Sequence, residues 1–164
     1  MSLITEDGTG LSTAESYVSV AAADTRLAAL GLTNWALLIT AEKEQALRRA
    51  TAHIEQSYRW RWKGTRRTTT QALAWPRHSV VIDDYTTVAS DVVPTDVANA
   101  CAELAFKAAA GDLNADLERA IVREKVGPLE TEYSPHSPQS VRYRALDMAL
   151  AAYLCSTSAM LVRA

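Results

Sequence analysis

The densest chemistry in this sequence lies in one stretch, Arg59-Trp60-Arg61-Trp62-Lys63-Gly64-Thr65-Arg66-Arg67. It holds five cations and no acid. The chain totals −2, so removing those five positive charges leaves −7 on the other residues. Alternating cations and indoles suit nucleic acid in two ways. The cations neutralise phosphates and release counterions. Each indole can stack on an unpaired base, worth about 1–3 kcal/mol. The same residues suit two other tasks. Trp60 and Trp62 can anchor a helix end in a core, with the arginines reaching outward. Arg and Trp are also enriched where protein partners bind most tightly.

Elsewhere the chemistry is sparse. His53, His78 and His136 are scattered without metal-ligand spacing, so no zinc site is expected. Cys101 and Cys155 sit in apolar helical patterns and read as two buried free thiols. The paired carboxylates, Asp83-Asp84 and Asp112 with Asp116, fall at turns and on helix faces, where acids are ordinary. There is no glycine-rich phosphate loop and no nucleophile elbow. The expectation is a protein with no catalytic residues, no cofactor and no metal.

The composition bounds the elements that must position this stretch. A length of 164 residues fits one domain, 1–164. The chain has 29 alanines, which leaves about 50 larger apolar residues, enough for one modest core. Alanine favours helices and lets them approach closely. No apolar run nears the roughly 20 residues of a membrane span. The N-terminus lacks the basic and apolar regions of a secretory signal. A pI of about 5.9 argues against a general nucleic-acid binder. Composition therefore points to a soluble, intracellular, helix-rich domain.

Periodicity supplies four helices. Residues 1–11 read as an extended or loose N-terminal arm. Ser12-Thr13-Ala14-Glu15 has the form of a capping box, predicting a first helix with the stripe Tyr17, Val20, Asp24, Leu27 and Ala28, stopped by Gly31. Thr40 opens a second helix with the stripe Leu47, Ala50, Thr51, Ile54 and Tyr58. Residues 64–95, rich in threonine and broken by Pro76 and Pro94, read as a long extended arm. Pro94-Thr95-Asp96 starts a third helix with the stripe Val97, Cys101, Leu104, Ala105 and Ala108. Leu113 to Ala120 reads as a short helical turn. Ile121–Val126 and Leu129–Tyr133 read as a hairpin or one kinked strand around Gly127-Pro128. Ser137 and Pro138 can start a fourth helix with the stripe Tyr143, Leu146, Leu150, Tyr153 and Leu154. Residues 156–164 form a C-terminal tail. The expected fold is mainly α, a four-helix subunit with a short β element and a long extended arm.

Three stretches in this order carry a resemblance. They are the opening Ile4 to Tyr17, the run from Tyr58–Trp62 into Thr70-Gln71-Ala72-Leu73-Ala74-Trp75-Pro76-Arg77, and Arg123 to Tyr133. Together they resemble the head–tail adaptor proteins of tailed bacteriophages, also called head-completion or connector proteins. Members of this branch are often described as single-stranded-DNA-binding proteins similar to a primosomal replication protein. The resemblance covers roughly residues 3–155.

What it implies is a structural virion protein without catalytic residues. About twelve copies would form a ring between the portal and the tail-side neck proteins. Double-stranded DNA would pass through the channel without sequence specificity. The protein would be assembled in the bacterial cytoplasm and reside in the virion neck, with no membrane partner. Leu73, Trp75, Pro76 and Arg77, and Val126, Gly127, Pro128 and Leu129, match family patterns taken as structural. Arg59, Trp60, Arg61, Trp62, Lys63, Arg66 and Arg67 are the candidates for facing DNA or a neighbouring subunit. The apolar residues Met160, Leu161 and Val162 are candidates for docking on the portal. The alternative is a single-stranded-DNA-binding accessory protein of replication.

Overall fold

A computed structural model describes residues 2–115, 121–125, 130–133 and 141–155. Among them the fold is mainly α, with four α-helices and a short antiparallel hairpin. The helices are α1 (Val20–Ala29), α2 (Thr40–Tyr58), α3 (Thr95–Ala110) and α4 (Arg144–Leu150). Two small antiparallel pairs accompany them. One is β1 (Thr65–Arg66) with β2 (Arg77–His78); the other is β3 (Ile121–Lys125) with β4 (Glu130–Tyr133). The hairpin alternative therefore holds for 121–133, with Lys125 opposite Glu130.

The core forms around α2 and α3, the most extensive helix pair. Every residue of the two predicted stripes is buried. Ala46 and Ala50 on α2, with Ala105 and Ala108 on α3, leave room for the backbones to approach. Thr51 Oγ1 lies 3.3 Å from Cys101 Sγ inside this interface. At the start of α2 the Ile39 N–H donates to Glu42, 3.1 Å away. Burial of apolar side chains at about 25 cal/mol per Å² does most to hold these helices, since even alanine-rich helices of such length are marginal in isolation.

The first helix begins later than the capping box predicts. Ser19, not Ser12, caps α1, its side chain accepting from Ala22 N–H at 3.2 Å. Glu15 is engaged otherwise: its carboxylate accepts from Arg48 Nε at 3.0 Å. Ser16 bridges Thr5 in parallel, and the N–H groups of Glu15 and Ser16 donate to Ile4. Extended pairing with the arm competes for the same backbone groups and wins. Asp24, which interrupts the apolar stripe, accepts from Trp35 Nε1 at 2.6 Å and pairs with Lys43 at 2.9 Å.

Nor is the N-terminal arm loose. Glu6 is buried, and its carboxylate accepts from the N–H groups of Gly8, Gly10 and Leu11 at 2.8–3.0 Å. A buried carboxylate is tolerated when such donors surround it.

Within the expected arm 64–95, residues 71–80 do not project either. Gln71, Leu73, Trp75, Pro76, Arg77 and Val80 are buried against the helices. The Gln71 amide donates to the carbonyls of Leu73 and Pro76 at 2.8 and 3.1 Å. Arg77 donates to Lys63, Gly64 and Ala74 carbonyls at 2.7, 2.7 and 3.2 Å. One guanidinium thus satisfies three carbonyls that helix or sheet would otherwise satisfy. Gly64 has φ +68°, and a Cβ there would sit 2.1 Å from the His78 carbonyl oxygen, so β1 needs glycine before it.

The fourth helix starts at Arg144, with Tyr143 as its N-cap. The expected start at Ser137-Pro138 lies outside the described residues. Leu146, Leu150, Tyr153 and Leu154 are buried as expected. Cys155 is exposed, against the expectation of a second buried thiol. Val126, Gly127, Pro128, Leu129, Met160, Leu161 and Val162 lie outside the described residues.

Candidate functional site

The Arg/Trp stretch spans the end of α2 and the strand-like segment after it. Arg59 caps α2, and Arg61 N–H closes a turn on the Tyr58 carbonyl at 2.9 Å. The chain then extends and pairs antiparallel with the segment after α4, Trp62 opposite Leu154. The change from turn to extended chain places the two tryptophans in opposite environments. Trp60, in the turn, is 90% exposed; Trp62, in the extended pair, is 4% exposed.

Trp62 belongs to an aromatic stack. Its ring lies 5.7 Å from Trp75 at 84°, and Trp75 lies 5.6 Å from Tyr153 at 87°. These are the edge-to-face arrangements that ring quadrupoles favour. Trp62 is therefore unavailable to stack on a base and takes the core-anchor alternative. Trp60 keeps an open face, with the Arg59 guanidinium 5.8 Å from its ring centre.

Most of the cations bind the protein's own backbone. Lys63 Nζ donates to Val81 and Ala152 carbonyls at 3.1 and 2.9 Å. Arg67 donates to Gly8 at 2.6 Å and Ser90 at 3.4 Å. Arg66 donates to Gln71 and Leu73 carbonyls. Arg61 lies over Tyr58, 5.6 Å from its ring centre. Carbonyl contacts fix these side chains without cancelling their charge.

What the fold gathers is a groove of about 370 Å³. Arg59, Trp60, Arg66 and Ala72 are its exposed wall residues, with Trp62, Ala74 and Arg77 buried and Glu55 half-buried. Three guanidiniums, one of them buried, therefore line it with one carboxylate. Glu55 is held by the Tyr17 hydroxyl and by Ala74 N–H at 3.1 Å. Burial, and then the Glu55 charge, push the Tyr17 phenol well above its ordinary range, so it remains a donor. Burial lowers the Arg77 pKa from a very high starting value.

The sequence reading brought Arg59, Trp60 and Arg66 to this groove. It assigned Arg77 to structure alone and missed Glu55 as a wall residue. The Glu55–Arg59 spacing of four on one helix face was a usable signal. Tyr17, which holds Glu55, arrives from 38 residues away and left none.

Other candidates for chemistry have ordinary roles. His53 Nδ1 bonds Asn114 Oδ1 at 2.7 Å and meets Tyr143 edge-on. Burial pushes the Cys101 thiol up to about 11. Among the described residues no three His, Cys, Asp or Glu cluster for a metal, and no helix is long and apolar enough to cross a membrane.

No curated protein and no solved structure matches the chain. A family model described as "Putative DnaT-like ssDNA binding protein" matches residues 1–164. With the match spanning its whole length, the chain belongs to this DnaT-like family.

Proposed function

We propose that this chain is a non-catalytic assembly subunit, the head–tail adaptor that its motif order resembles. In this reading copies of it form a ring on the portal and DNA passes through. The observation that carries the reading is the apolar surface of the single subunit. Leu37, Ile39, Trp60, Tyr85 and Met148 are each at least 65% exposed. Scattered apolar atoms are normal on any protein, but five large, mostly uncovered side chains on four separate segments suit a surface that neighbours complete. The groove, with its Arg and Trp walls, has the composition of an interface hot spot. Native mass spectrometry and electron microscopy of the full chain, alone and mixed with a portal, test this. Rings on the portal are the expected result. A chain that stays monomeric with every portal tried overturns it.

A second reading, single-stranded-DNA binding, is favoured by the family's description and by the open face of Trp60 beside Arg59. It calls for salt-dependent binding of short oligonucleotides with quenching of Trp60. Unchanged fluorescence at high oligonucleotide concentration and low salt removes this reading.

A further inference from the structure

The turn at Asp83–Tyr85 holds a residue of unfavourable backbone conformation at the surface. It closes a short loop between Val80 and Val88. Ile82 N–H donates to Thr86 at 2.9 Å, Thr86 N–H to Asp83 at 3.1 Å, and Val88 N–H to Val80 at 2.9 Å. Tyr85 at its tip has φ +64° and is 92% exposed. A bulky residue in the left-handed region is costly and persists where the surroundings impose it, often at functional surfaces. Here the loop's own hydrogen bonds hold out a phenol ring that is almost wholly exposed. Among the described residues, the Asp83 and Tyr85 side chains take no hydrogen bond or ion pair, and the sequence adds a second acid at Asp84.

The groove presents the complementary chemistry. Two exposed guanidiniums, Arg59 and Arg66, and the buried Arg77 line it with a single carboxylate, and the Trp60 indole is left open beside them. We propose that this groove is the socket for the Asp83–Tyr85 turn of a second copy of this chain. Tyr85 would lie against Trp60, and Asp83 would meet Arg59 and Arg66. Both features are open in one chain, so turn and groove of the same copy do not satisfy each other. Socket and plug are different surfaces, so the contact is head-to-tail and repeats from copy to copy. A nucleic-acid strand fits less well. Glu55 opposes phosphate at the groove, and only one open indole stands there, whereas a strand calls for successive platforms. The inference rests on the assembly reading and names the surfaces that it would use.

The test is a charge exchange in the full chain, read by native mass spectrometry and by ring counting on the portal. Arg59 and Asp83 are exposed and take no side-chain hydrogen bond among the described residues, so the R59E and D83R variants fold; circular dichroism checks this. Each variant alone should lose self-association at least tenfold. Mixed together they should recover it, because each plug then meets a matching socket in alternation. The R59E/D83R double variant should also recover it, and Tyr85→Ala should weaken it without a charge change. Wild-type rings that form equally well with either single variant overturn this contact and leave the assembly reading intact. Loss in the single variants without recovery on mixing overturns the contact as well. A wild-type chain that never associates, with or without portal, overturns both. Loss of oligonucleotide binding in R59E, with association unchanged, assigns the groove to nucleic acid instead.

Discussion

Trp60 and Trp62 are two positions apart, carry the same side chain and have opposite duties. Trp60 lies on the surface beside Arg59, and Trp62 is inside the aromatic stack with Trp75. Trp62→Ala should therefore cost about 3–5 kcal/mol, the usual range for an aromatic removed from a core. Trp60→Ala should leave stability within about 0.5 kcal/mol, as exposed substitutions do. Urea melts of the two variants measure both. A Trp60→Ala chain that melts like Trp62→Ala would show the exposed indole to be part of the core. The cysteines divide the same way. Cys101 is buried, with its thiol pushed up to about 11, and Cys155 is exposed. A thiol reagent at pH 8 should label the native chain once, at Cys155, and twice only in denaturant. Peptide mapping of the label identifies the site.

At the scale of elements, the short helix α4 depends on side chains from its neighbours. Tyr58 on α2 donates to Asp147 at 2.7 Å, Arg142 bonds the same carboxylate at 2.7 Å, and Tyr153 donates to Asp96 on α3 at 2.8 Å. Burial raises the Asp147 pKa, but the Tyr58 and Arg142 bonds lower it more, and the net direction is down. A carboxyl lowered in the folded state adds stability above its ordinary range near 3.8 and loses it as pH falls through the lower folded value. Docking of α4 should therefore be constant at neutral pH and weaken in acid. Tyr58→Phe should shift the onset of that loss to higher pH, followed by hydrogen exchange of α4 amides between pH 5 and 2. An onset that does not move would place the acid sensitivity elsewhere. The helices themselves were legible in the sequence, because the stripes on α2 and α3 follow from a period of 3.6 and from the apolar side chains that it aligns. The start of α1 was not. Ser12 and Glu15 satisfy the local rule, but Ile4 and Thr5 compete for the same backbone groups from outside the window.

For the whole molecule, the modest core and the exposed apolar side chains point the same way. A subunit completed by neighbours should be less stable alone than assembled, and its apparent stability should rise with its own concentration. Thermal melts of the wild type over a hundredfold range of concentration, with portal and without, should show a rising midpoint wherever rings form. Contact through exposed guanidiniums and carboxylates should also weaken as salt is raised. A midpoint independent of concentration in the presence of rings would show that neighbours add nothing to the fold.

By itself the sequence determined the helical class, the two central stripes, the two short strand-like runs and the place where cationic and aromatic chemistry concentrates. Those features depend on side-chain type and short spacing, which a chain carries wherever it folds. Tertiary structure decided which tryptophan is open, that residues 71–80 lie on the core, and that Arg77 holds three carbonyls while lining the groove. Each of these depends on which distant group fills a site first. Leu154 pairs with Trp62 and leaves Trp60 outside, and Glu55 takes the Tyr17 hydroxyl from 38 residues away.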